Sequence, residues 1–437
     1  MKILKWEDYK FKFFNLTLFK IGKKKDGINF YILFIPILKF KNEFSILSAE
    51  IKENTNFNMK KFDEKIASFI EVAKQESKNF SKEKIAYMAT ELYETGGHTK
   101  CLINQIKSLS CDYEECLFLT KKTSTYKNAN KSISIIEKYA KVEGINENFL
   151  FYKKQAVKLY EKIIDFGAKT LFIYIHPDDI LATLVISLIK RNTDIKIIFF
   201  NHSSHYPNLG MTFADLILEG MPSALKITNE KRQLYNCAVI GLQSKEVGET
   251  NYISKDEIQN IRKELGINDN EIMTISGGAS YKFFNQNKSE YFEMIKEILE
   301  TREDIKHVIM TKLKKNEIKI FNEIFKDENT KKQIIFTPLS PDYEKFFQVA
   351  DLFIDSFPVS SALTQIDLMR LKVPTVVKIN KDKPEWSFHE YMPIDYKYMF
   401  ENVQDMKNGI FDLIENKSKR EEIIKSNYEF WLKMQMY

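Results

Sequence analysis

The sequence predicts an α/β protein made of two doubly wound, Rossmann-like units with a small β-rich N-terminal appendage. Three observations predict it: short apolar runs that alternate with amphipathic helical stretches from Lys84 onward, a length of 437 residues, and a Gly-Gly pair after the first apolar run of each half, Gly96-Gly97 and Gly277-Gly278. Short buried strands separated by covering helices are the signature of a parallel sheet. A chain of this length exceeds one ordinary core, and its 44% hydrophobic content can fill two.

The first series of candidate strands covers 85–90, 115–120, 170–175, 195–200, 215–218 and 238–242. The second follows a charged helix at 255–265 and covers 272–276, 307–311, 333–337, 352–355 and 375–379. The expected division is an appendage at 1–80, a first unit at 81–248, a second at 249–415 and a terminal helix at 416–437. In the appendage, Leu18-Phe19-Lys20-Ile21 recurs as Ile37-Leu38-Lys39-Phe40 in an alternating aromatic and polar context that suits two hairpins. A small sheet packed on the body is one reading of this segment. A membrane-surface patch is the other, because Lys10, Lys12, Lys20, Lys23, Lys24 and Lys25 lie among Phe and Leu.

Composition excludes several classes. The net charge of +6 comes from 66 basic and 60 acidic residues spread along the chain, so there is no basic stripe for nucleic acid. Cys101, Cys111, Cys116 and Cys237 form no CxxC pair and no zinc spacing, which suits reduced thiols in a reducing compartment. The N-terminus lacks an apolar stretch ending in small residues, and the longest apolar run, 30–38, is half a membrane span. The expectation is a soluble, cytoplasmic protein.

In open parallel sheets ligands bind beyond the carboxyl ends of the strands, so two such units facing each other are expected to share a cleft. Candidate residues therefore follow strands. His98, at the start of the helix after Gly96-Gly97, suits proton transfer or substrate binding, and a capping or turn role is the plainer reading. His202 and His205 follow the strand at 195–200, where substrate contact is a better reading than metal, because no acidic partner completes a ligand set. His176 follows a strand too, and Asp178 and Asp179 open a helix, where capping explains them. In ISGGASYKFF, Lys282 stands four residues beyond Gly278, a position from which an ammonium can neutralise a leaving diphosphate. After the strand at 352–355, a hydroxyl-rich loop with Ser360 and Ser361 leads into a helix opening at Ala362, Leu363 and Thr364. A helix N-terminus binds anions through its amides and dipole, although a capping box explains the same hydroxyls. Asp367, one turn on, can accept hydrogen bonds from ribose.

This last stretch, through IIFTPLSP and VADLFIDSFP to Thr364, Asp367 and Pro374, resembles the nucleotide-binding segment of O-GlcNAc transferase and the related bacterial cytoplasmic protein glucosyltransferases. Weaker resemblance extends to SGGASYKFF and GGHTK and covers 81–415. The resemblance implies the GT-B fold, with 81–248 on the acceptor side and 249–415 on the donor side. It implies a UDP-sugar co-substrate, inversion at the anomeric carbon, and no metal or other cofactor. Carried over by position, Lys282 and Thr364 contact the donor diphosphate, Asp367 meets the ribose and the loop at Ser340 meets the base; Gly277, Gly278, Ser360 and Ser361 are the further donor-binding candidates from the loop and helix-start reading. Gly96, Gly97, His98, His202 and His205 line the acceptor side, with His98 and Lys282 the catalytic candidates. Two positions depart from the pattern: Asp342 stands where the family has a Lys near uracil, and Ala362 where it has a base-stacking His. The helical repeats that bind peptide are absent.

The expected activity is glycosyl transfer from a nucleotide-sugar to a hydroxyl or amide, in surface polysaccharide or protein glycosylation. The acceptor stays open between a glycan, a lipid-linked glycan and a protein. A lipid-linked acceptor would place the enzyme at the inner face of the cytoplasmic membrane through residues 1–80. The rivals are a sugar-nucleotide epimerase or hydrolase of the same fold, and a catalytically silent GT-B partner of an active transferase.

Overall fold

A computed structural model describes residues 8–13, 16–24, 27–32, 35–40, 43–72, 80–94, 96–122, 129–241 and 250–434. Of the residues named above, Lys25 and Leu242 lie outside this set. The N-terminal strands β1 (Asp8–Phe13), β2 (Leu16–Lys24), β3 (Gly27–Ile32) and β4 (Ile35–Phe40) form an antiparallel sheet in chain order. The two recurring tetrapeptides fall in β2 and β4.

Two compact units follow. One comprises residues 1–93, 106–219 and 225–239; the other comprises 94–105, 220–224 and 240–437. The first holds a seven-stranded parallel sheet of β5 (Ser81–Ala89), β6 (Glu114–Leu119), β7 (Lys141–Gly144), β8 (Ala168–Tyr174), β9 (Lys196–Asn201), β10 (Leu216–Glu219) and β11 (Cys237–Val239). Its order is β11-β10-β9-β8-β5-β6-β7. The chain starts in the middle, winds outward one way, then returns to wind the other way, so the order reverses between β5 and β8. The helix Ile180–Asn192 has every residue from Ile180 to Ile189 buried, because it is covered on all sides.

Two expectations need correction here. Residues 43–70 are not part of a β-rich appendage: helices Glu43–Glu53 and Lys60–Ala67 insert Phe44, Leu47, Ile51 and Ile66 into the first unit's core. Asp63, fully buried, ties them down by accepting the Gly210 amide at 2.8 Å and the Thr212 hydroxyl at 2.6 Å. The boundary between units is also not a single cut, since residues 94–105 and 220–224 pack with the second unit.

The second unit holds β12 (Ile272–Gly277), β13 (Ile305–Met310), β14 (Ile334–Thr337), β15 (Leu352–Ile354), β16 (Thr375–Lys378) and β17 (Met399–Phe400), parallel and ordered β14-β13-β12-β15-β16-β17. Its reversal lies between β12 and β15. The helix Glu290–Thr301 buries Tyr291, Phe292, Met294, Ile295, Ile298 and Leu299 at helical spacing and is capped by Ser289, whose hydroxyl accepts the Phe292 amide. The C-terminal helix Lys417–Met434 places Trp431, fully buried, against Ile366 and Met369 of the helix Ala362–Arg370. That contact braces the back of the helix whose front end matters below. The strands at β7 and β17 have no counterpart among the expected ones; both are short edge strands with mixed sequence.

Candidate functional site

The second unit's reversal point is built around one carboxylate. Asp355, at the end of β15 and fully buried, accepts the amides of Ser356 at 2.9 Å and Ser361 at 3.1 Å, and the hydroxyl of Ser360. The loop 356–361 is thus wrapped around its own strand end. Burial pushes the Asp355 carboxyl up to about 7, against the Ser360 hydrogen bond and the nearby Lys282 charge.

Lys282 comes from the 3₁₀ turn Ser280–Phe283 after β12 and reaches the same loop, donating to the Ser360 carbonyl at 3.0 Å and the Ser361 hydroxyl at 3.2 Å. Burial pulls its ammonium down to about 8, and Asp355 opposes the shift. Gly278 makes the approach feasible, since a Cβ there would lie 3.1 Å from Lys282 Cδ and 3.6 Å from Ser361 Oγ.

Ser361 is the N-cap of the helix Ala362–Arg370 yet makes no side-chain cap hydrogen bond. Its hydroxyl turns instead toward Lys282, Ser356 and the Gly277 carbonyl. The helix therefore presents its positive end beside an ammonium, with Thr364 in the first turn. A helix start beside an ammonium is an arrangement suited to an anion.

One turn further, Asp367 belongs to a second cluster. Its Oδ1 accepts from Arg370 at 3.0 Å, and its Oδ2 accepts the Tyr343 hydroxyl at 2.6 Å with Lys100 Nζ 3.7 Å away. Arg370, fully buried, also pairs with Glu344 at 3.0 Å. Sequence reasoning missed Lys100, Tyr343 and Arg370. Ser340 lies in the loop just before Tyr343 and accepts the Asp342 amide at 3.1 Å.

Gly96, Gly97 and His98 sit at the start of the helix Gly97–Leu109, in the segment that packs with the second unit. A Cβ on Gly97 would make an ordinary 3.7 Å contact with Leu363, which places this helix start close to the helix Ala362–Arg370. The His98 ring is 3.4 Å from the Thr99 hydroxyl.

His202 and His205 belong to the first unit, in the loop after β9. Arg232 holds that loop through the Ser204 and Tyr206 carbonyls at 2.8 and 2.9 Å, and His205 packs on Tyr206. Among the described residues no three His, Cys, Asp or Glu side chains gather into a metal-binding set. At the first unit's reversal point His176 stacks on Tyr93 and shares a 3.1 Å hydrogen bond with its hydroxyl. Asp179 caps the helix Ile180–Asn192, as its position suggested, and also accepts from Thr90 at 2.6 Å and Thr120 at 2.7 Å.

No protein-family model and no curated protein matches the sequence. Solved structures do match. HepE from Anabaena, in complex with UDP and glucose, superposes with a TM-score of 0.62 at 13% identity, over 81% of this chain and 97% of that one. A glycosyltransferase from Rickettsia africae gives 0.63 at 10% identity, over 81% and 94%. The fold is GT-B. A putative UDP-N-acetylglucosamine 2-epimerase from Listeria monocytogenes also matches, at 0.54 and 15% identity, over 79% and 91%. At such identities the likeness is one of fold. The GT-B chain described here thus carries its anion-receptive helix end at the reversal point of its second unit, where the fold places the carboxyl ends of the central strands.

Among the described residues no helix is long and apolar enough to cross a membrane.

Proposed function

We propose that this protein is a glycosyltransferase that moves a sugar from a UDP-sugar to a hydroxyl or amide acceptor, without a metal and with inversion. The observation that carries the reading is the uncapped N-terminus of the helix Ala362–Arg370 with Lys282 held against its first residue. In the reaction the acceptor oxygen or nitrogen forms a bond to the anomeric carbon as the bond from that carbon to the diphosphate oxygen breaks. The electron pair leaves with UDP, and Lys282 and the helix end stabilise the charge that develops there. The acceptor's proton passes to a base, for which His98 is the candidate. Asp367 receives the ribose hydroxyls and the loop at Ser340 receives the base. The acceptor is a glycan, lipid-linked glycan or protein of surface polysaccharide or protein glycosylation at the cytoplasmic side.

The Listeria structure favours a second reading, a sugar-nucleotide epimerase. A thermal-shift panel of nucleotide-sugars, followed by mass spectrometry of products with and without acceptor, separates the cases. A ligand at 100 times its dissociation constant adds about 2.7 kcal/mol of stability. Stabilisation by UDP-sugars and product formed only with acceptor support transfer; acceptor-independent turnover supports the epimerase; no stabilisation by any nucleotide leaves a silent binding partner. Activity is expected to survive EDTA, because protein groups supply the positive charge. Loss with chelator and rescue by Mg²⁺ or Mn²⁺ overturns that part.

A further inference from the structure

Lys100 is out of place for a residue of its chain position. It lies on the helix that follows β5 of the first unit's sheet, yet it packs with the second unit. Its ammonium sits 4.0 Å from the centre of the Tyr343 ring, donates to the Tyr343 hydroxyl and stands 3.7 Å from Asp367 Oδ2. The Tyr343 hydroxyl in turn donates to the same Oδ2 at 2.6 Å. Burial and the Asp367 charge push the phenol far above its ordinary value, so it remains a donor.

Asp367 and Glu344 face Arg370 and Lys100 in this cluster. Arg370 is fully buried and grips Asp367 Oδ1 from the same helix. The other carboxylate oxygen is fixed from elsewhere, by Tyr343 and, through it, Lys100. An ionised carboxylate has about four acceptor sites, so donors on both oxygens fix its plane and still leave room for a hydroxyl. Without Lys100 the Tyr343 hydroxyl loses a donor that orients it and Asp367 loses a nearby positive charge.

Resting on the donor-site reading above, we propose that Lys100 is a positioning residue of that site. It acts through Tyr343 to hold the Asp367 carboxylate in the orientation that receives the vicinal hydroxyls of a nucleoside diphosphate. Recognition of the ribose therefore depends on the segment 94–105, which also carries His98.

The test is a calorimetric titration of the full-length protein and of Lys100→Met and Lys100→Arg with UDP and with 2′,3′-dideoxy-UDP. The unsubstituted protein is expected to prefer UDP by about tenfold or more, the discrimination a hydrogen bond to a charged group gives. Lys100→Met is expected to lose most of that preference by weakening UDP while the dideoxy compound binds as before, and Lys100→Arg is expected to recover it. An unchanged preference in Lys100→Met overturns the proposal. So does an equal loss for both ligands, which marks a phosphate contact or general damage. If the unsubstituted protein binds neither UDP nor any other nucleoside diphosphate, the donor-site reading itself fails and takes this inference with it. Binding with intact discrimination in Lys100→Met sinks the inference alone.

Discussion

The two sheets share one topology and treat the same position in opposite ways. In the first unit the helix after β8 is capped by Asp179, a buried carboxylate that accepts the Ala182 amide and two threonine hydroxyls. In the second, the helix after β15 has Ser361 at its N-cap with no side-chain cap and Lys282 beside it. An acidic side chain fills and neutralises the first helix end; the second is left positive. The buried carboxylate of the second unit, Asp355, lies one step back, where it binds the Ser361 amide and shapes the loop without covering the helix amides. Topology thus supplies two equivalent places for a phosphate, and side chains at the helix starts decide which is open.

The most severe way to break this contrast is to give the second unit the first unit's cap. In Ser361→Asp the new carboxylate is placed to pair with Lys282 and to cap the helix, at a buried position next to Asp355. The same charge repels a diphosphate by about 4 kcal/mol at 4 Å under a dielectric near 20. UDP affinity is expected to fall more than about a hundredfold in protein whose melting transition shows that it is folded. Affinity within tenfold of the original would mean that the anion does not sit at this helix.

Lys282→Ala is the next largest effect. It removes a charge-assisted hydrogen bond of roughly 1.5–3 kcal/mol, or about one to two powers of ten in donor binding. The fold is expected to stay intact, because Asp355 still holds the Ser360 hydroxyl and the Ser361 amide of this loop. A folded variant with unchanged transfer kinetics would remove Lys282 from the site.

The contrast between the units was partly legible in the sequence. Gly96-Gly97 follows the first strand of one sheet and Gly277-Gly278 begins at the end of that of the other, and Thr364 and Asp367 fall in the helix expected after the hydroxyl-rich loop. Capping by Asp179 follows from its place before an apolar run. Asp355 reads only as the last residue of a strand, because the sequence does not show that Ser356, Ser360 and Ser361 fold back on it. Lys100 carries no local signal, since its partners Tyr343 and Asp367 lie far along the chain. Helices 43–53 and 60–67 were hidden by the aromatic and lysine-rich strands before them, and β7 and β17 by their length of four and two residues.

A smaller effect comes from pH. The ammonium of Lys282 titrates at about 8 and binds diphosphate only when charged, so UDP affinity is expected to weaken by up to about tenfold per unit above that value. Lys282→Met should abolish the slope. Asp355 gives the stability side of the same loop. Its carboxyl titrates at about 7 when folded against an ordinary value of 3.8, so the native state holds the extra proton between them. Its contribution to stability is fully present below about 4 and is lost as pH rises through 7. Urea unfolding of Asp355→Asn between pH 4 and 8 should show a smaller decline than the unsubstituted protein; an identical decline would assign it to other buried carboxyls, such as Glu115 and Glu219, which are also pushed up to about 7.

The smallest expected effect on ligand binding is at the first unit's helix start, and it is the sharpest check on the asymmetry. Asp179→Ala removes the cap and leaves the Thr90 and Thr120 hydroxyls without their buried acceptor. A lost cap costs about 0.5–2 kcal/mol and an unsatisfied buried donor about 1–3 kcal/mol; Thr120 keeps the Thr90 carbonyl as an acceptor, so one cap and one donor give an expected loss of about 1.5–5 kcal/mol in urea unfolding. Asp179→Asn keeps an acceptor and a good capping residue while removing a charge that burial disfavours, so it should cost far less. Neither variant should change UDP affinity by more than about twofold under folded conditions, because the anion is assigned to Lys282 and the second unit's helix start. If opening the Asp179 helix end raises UDP affinity or creates a second binding event by calorimetry, the first unit's reversal point is a latent anion site, and the division of labour between the two sheets rests on that one capping carboxylate.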